Sequence, residues 1–89
     1  MTRATYHAKK RSKQRHQPMS RAQLAKYAAM IASKDPAAVM IRPANGRTEL
    51  WAVPHAGAMA PVIFSPDTGM IVTVLPLHTL PVRMQYPAE

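Results

Sequence analysis

Apolar positions recur at Leu24, Tyr27, Ala28 and Ile31, a helical spacing that places them on one face. Ser20 followed three residues later by Gln23 is a capping box, with each side chain satisfying a free amide of the other residue. The run Ser33-Lys34-Asp35-Pro36 stops the pattern, so a helix is expected over 20–33. Upstream, residues 4–16 lack Gly and Pro and hold good helix formers, which predicts a first helix ending before Pro18. Its only small apolar positions are Ala4 and Ala8, so it has little to bury.

After Pro36 the period becomes extended. Short apolar runs predict strands near 38–42, 48–53, 61–65 and 70–75. Asn45-Gly46 and Pro66-Asp67-Thr68-Gly69 are turn signals, and Pro54–Ala58 reads as a loop. The expected fold is α+β: two N-terminal helices followed by a four-stranded antiparallel meander. Strict alternation in the last strand puts Met70, Val72 and Val74 on one face and Ile71, Thr73 and Leu75 on the other. Pro76, Pro81 and Pro87 make the end of the chain either irregular or the carrier of a short edge strand near 82–85. The reading is one domain over 1–76 and a Pro-rich tail over 77–89. With 89 residues there is no room for two cores.

Charge adds a partner class. Residues 1–34 hold nine of the twelve Lys and Arg and no acidic residue, whereas 35–89 hold three basic and four acidic residues. So concentrated a positive charge suits a polyanion: RNA, DNA, anionic lipid or an acidic protein. The absence of cysteine excludes disulfides and cysteine-ligated zinc. The four carboxylates are scattered and the four histidines lack zinc spacing, so no metal or other cofactor is expected. No apolar run reaches the roughly 18 residues of a membrane span. The start MTRATYHAKKR lacks the order of a secretion signal, which points to the cytoplasm.

In the first helix His7, Arg11 and Arg15 recur at i, i+4 and i+8, forming a stripe along one side. The segment Tyr6–Arg15 reads H-A-x-x-R-x-x-x-R, and Ile71-Val72-Thr73-Val74-Leu75 closes the meander. In these motifs and their order the chain resembles the small bacterial and phage RNase toxins grouped around barnase, colicin D and RelE (the BECR group). The resemblance covers roughly residues 6–75. It implies that His7, Arg11, Arg15 and Thr73 face one cleft and carry catalysis. His16 stands where relatives have Gly, Pro18 follows, and only Arg42 and Arg47 could supply a further cation from the middle of the chain.

Such chemistry would be metal-independent attack of the RNA 2′-hydroxyl on its own phosphate, leaving a 2′,3′-cyclic phosphate. A histidine with an ordinary pKa of about 6.5 suits general base work. Arg11 and Arg15 would hold phosphate oxygens, and Thr73 would donate to a non-bridging oxygen. The second proton donor stays open among His78, His16 and Lys10. Lys9, Lys10, Lys13 and Arg42 are the expected RNA-binding cations. A toxin of this kind would be held by an acidic antitoxin or immunity protein. Two other readings use the same charge: a non-catalytic nucleic-acid-binding module, and a small phage protein that inhibits an acidic host enzyme. Oligomeric state is not legible.

Overall fold

The computed structural model describes residues 3–14 and 18–85. Helix α1 spans Arg3–Gln14 and helix α2 Arg21–Ala32. Strands β1 (Val39–Pro43), β2 (Glu49–His55), β3 (Ala58–Ser65) and β4 (Met70–Val74) form one antiparallel sheet in the order β1-β2-β3-β4. The expected α+β meander is therefore the observed fold. The last two positions of the expected first helix, Arg15 and His16, lie outside the described residues.

The ends of α2 follow from its sequence. Ser20 Oγ accepts the Gln23 amide at 3.1 Å, and the Ser20 amide donates to Gln23 Oε1 at 2.8 Å. At the other end the Lys34 amide donates to the Ile31 carbonyl at 3.1 Å and the Asp35 amide to the Met30 carbonyl at 2.9 Å. This is a Schellman motif with Lys34, at φ +59°, in the left-handed position usually given to glycine. Asp35 Oδ1 then accepts the Ala37 amide at 2.9 Å and turns the chain toward β1.

Two strands run further than their sequences suggest. Residues 54–58, expected as a loop, instead end β2, make a two-residue turn and begin β3. His55 pairs with Ala58, and Ala56 and Gly57 both take positive φ (+52° and +81°), the signature of a type I′ turn. An alanine there conceals the turn from composition. Pro61 sits inside β3, where a proline is unexpected. Its carbonyl accepts the Leu75 amide at 3.0 Å on the β4 side, at the point where the β3–β4 ladder ends. The missing N–H therefore interrupts no bond to β2.

A bulge corrects the expected face assignment in β4. Phe64 pairs with Ile71 and Ile63 with Thr73, leaving Val72 as the extra residue. Ile71 and Val74 consequently both join the core under the helices, contrary to simple alternation, while Met70 and Val72 stay only partly buried. That core joins Leu24, Tyr27, Ala28 and Ile31 of α2 to Val53, Val62, Phe64 and Val74 of the sheet.

Helix α1 packs along β4 and against α2. It buries Ala8 and Ser12, which are one turn apart and small enough for close approach. Ser12 Oγ donates to the Lys9 carbonyl at 2.7 Å and accepts the Met19 amide at 2.9 Å, tying α1 to the segment that enters α2. Leu50 and Ala52, on the other face of the sheet, are buried outside the main core, and Leu80 is buried outside it too. Leu80 comes from the end of the chain. There the possible edge strand is replaced by two single-turn 3₁₀ helices, η1 (Leu77–Thr79) and η2 (Val82–Met84). The Gln85 side chain fastens them by donating to the Leu80 carbonyl at 2.8 Å.

Candidate nucleic-acid interface

Burial of Ala8 and Ser12 fixes the orientation of α1. One hundred degrees per residue then carries Tyr6, Lys10 and Lys13 to the solvent side, with Lys9 at the margin. Tyr6, Lys9, Lys10, Lys13 and Gln14 line a shallow cavity of about 450 Å³. Tyr6 is 62% exposed, an unusual position for a large aromatic side chain. No carboxylate among the described residues lines this cavity. Among the described residues the one ion pair is Arg47–Asp67 at 3.6 Å, between two hairpin loops, and none of the three lysines has a carboxylate partner among them.

His7 and Arg11 lie one turn apart on the flank beyond Gln14. His7 is exposed, and the half-buried Arg11 donates to Gln14 Oε1 at 3.1 Å. Arg15, the next member of the stripe, and His16 lie outside the described residues. Thr73 is half-buried on β4. Its partner Ile63 pairs in turn with Leu50, on the sheet face away from the helices. Arg42 continues that row through its pairing with Leu50. It stands on the far edge strand, about 14 Å from Thr73 at ordinary strand spacing. The fold thus brings Lys9, Lys10 and Lys13 together and keeps His7 beside Arg11. It places Arg42 and Thr73 at opposite ends of one cross-strand row. The cavity beside the lysines is lined by neither His7 nor Thr73. His78 is exposed in η1.

Sequence reading missed one constellation. His55 Nε2 lies 2.9 Å from the Pro18 carbonyl, and His55 Nδ1 lies 2.6 Å from the Tyr27 hydroxyl. A carbonyl only accepts, so the hydrogen is assigned to Nε2. In the neutral ring Nδ1 then accepts the Tyr27 O–H. The rings meet edge to face, with centroids 5.6 Å apart. Burial pushes the Tyr27 phenol above its usual pKa. The three residues are 28 and 37 positions apart in pairs, and no local pattern could have joined them.

Among the described residues no group of three His, Asp or Glu is placed to hold a metal ion, and no helix is long and apolar enough to cross a membrane. Compared with protein-family models, curated proteins and solved structures, the chain has no match.

Proposed function

We propose that this protein binds single-stranded RNA through the solvent side of α1. The observation that carries the reading is the exposed Tyr6 set among Lys9, Lys10 and Lys13, with no carboxylate among the described residues of the cavity they line. Ammonium groups track a phosphate backbone, and an exposed ring offers a face on which a base stacks, worth about 1–3 kcal/mol per base. Single-stranded RNA suits this better than a duplex, because its bases are free to reach the ring. In an NMR titration with an unlabelled single-stranded oligonucleotide, amides of residues 6–14 should move first. Tyr6→Ala should weaken binding about fivefold or more. Unchanged affinity in Tyr6→Ala would remove the stacking contact and with it the preference for single strands.

A second reading adds metal-independent cleavage. It is supported by His7 lying one turn from Arg11 on the flank next to the lysines. His7 would take the 2′-hydroxyl proton and Arg11 would hold the phosphate while the P–O5′ bond breaks, the departing oxygen taking a proton from water to leave a 5′-hydroxyl. Thr73 enters that reading only through the resemblance to RNase toxins, because its hydroxyl lies on the sheet face away from the helices. Incubation with RNA in EDTA should give 2′,3′-cyclic phosphate ends, and His7→Ala should abolish them while leaving most of the affinity. Intact RNA after incubation with the unaltered protein leaves binding alone.

A further inference from the structure

A cavity of about 640 Å³ lies between α2, the β2–β3 turn and η2, remote in sequence from the α1 lysines. Its size falls within the roughly 300–1,000 Å³ of small-molecule sites. Lys26 of α2 and Arg83 of η2 line it, both exposed and without a described hydrogen-bond or ion-pair partner, and among the described residues no carboxylate lines it. Two such cations favour an anion, and the arginine fork matches phosphate oxygens in particular.

The remaining lining narrows the ligand. Tyr27 and His55 also border the cavity. With its hydrogen committed to His55 Nδ1, the Tyr27 phenol can serve a ligand only as an acceptor, so it calls for a hydroxyl or N–H. Met59 and Met84 contribute soft, polarizable surface of the kind that packs against flat rings. The turn at the rim holds Ala56 at φ +52°, a conformation that costs an alanine and is imposed by the two-residue hairpin joining β2 and β3.

We infer that this cavity binds a nucleotide: phosphate on Lys26 and Arg83, a ribose hydroxyl on Tyr27, and the base against Met59 and Met84. The nucleotide can be free or can be the 5′-phosphorylated end of an RNA strand. The site does not depend on the α1 reading.

The test is titration of the ¹⁵N-labelled full chain with adenosine 5′-monophosphate (AMP). Amides of Lys26, Gly57, Met59 and Arg83 should shift saturably. Lys26→Ala and Arg83→Ala, both at exposed positions, should each weaken binding about tenfold. Ribose 5-phosphate should bind more weakly than AMP, and so should adenosine. A 5′-phosphorylated oligonucleotide that reproduces the shifts, where its 5′-hydroxyl counterpart does not, assigns the site to strand ends. Shifts with AMP alone assign it to the free nucleotide. Lys9→Ala/Lys13→Ala should leave AMP affinity unchanged, which separates this site from α1. Absence of saturable shifts with both ligands overturns the inference. So does unchanged affinity in both cavity variants, or equal affinity for AMP and either of its fragments.

Discussion

Ser12→Ala should destabilise the protein by about 1–2 kcal/mol, although it removes one atom from a helix that is otherwise mostly polar. Ser12 is fully buried, and its hydroxyl is the acceptor for the Met19 amide at 2.9 Å. Alanine leaves that amide buried and unsatisfied, at a cost of roughly 1–3 kcal/mol. Alanine is also the better helix former, which returns about 0.5 kcal/mol. A domain of this length shifts its midpoint by roughly 4–8 °C per kcal/mol, so thermal unfolding followed by circular dichroism should move down by about 5–15 °C. Hydrogen exchange at the Met19 amide should accelerate as well, because its acceptor has gone. Loss of the link would also loosen α1 from the start of α2 and so degrade the lysine-bearing surface. A midpoint within 1–2 °C of the unaltered protein, roughly 0.3 kcal/mol, would refute the assignment of Ser12 as the tie between the helices.

Two further effects follow from the backbone and from Tyr27. Lys34 occupies a left-handed C-terminal position, which costs a non-glycine residue about 1–2 kcal/mol. Lys34→Gly removes that strain but loosens the unfolded chain, so a net gain of roughly 0.5–1 kcal/mol should appear in urea unfolding, and a loss would contradict the Schellman reading. Burial raises the Tyr27 pKa above its ordinary value of 10.0. The raised value means that the folded state keeps the phenolic proton where the unfolded chain has begun to lose it. The contribution of Tyr27 is complete below about pH 10 and falls away as pH rises through the folded value. Tyr27→Phe should therefore show a shallower alkaline loss of stability, and parallel profiles would exclude this origin.

Element type was legible wherever local chemistry was decisive. The Ser20–Gln23 box, the Leu24–Ile31 repeat and the Met70–Val74 run each named their own structure, and their order gave the meander. The misjudged features depended on pairing. Ala56 takes a conformation that alanine does not advertise, so a tight hairpin looked like a loop. The Val72 bulge is a property of two strands together, and it moved Ile71 under the helices. Leu80 is buried because the end of the chain returns to the sheet, a long-range event with no periodic signal. Spacing pointed to His7, Arg11 and Arg15 as the stripe of α1, and charge alone named Lys9, Lys10 and Lys13; the burial of Ala8 and Ser12 is what sets those lysines together on the solvent side. The cavity around Lys26 and Arg83 was not legible, since it joins residues distant in sequence. The Tyr27–His55–Pro18 clamp was hidden because Tyr27 looked like core and His55 like loop.

The most direct test of the central claim is the salt dependence of RNA binding. Fluorescence anisotropy would follow a labelled single-stranded oligonucleotide with the unaltered protein and with Lys9→Ala/Lys13→Ala. Each single-strand phosphate neutralised contributes about −0.7 to the slope of log affinity against log salt. Three lysines predict a slope near −2, equivalent to about a 16-fold loss over a fourfold rise in salt, and the double variant should be shallower by about 1.4. Affinity that is flat with salt, or a slope unchanged by removal of Lys9 and Lys13, would contradict the assignment of α1 as the RNA-binding surface.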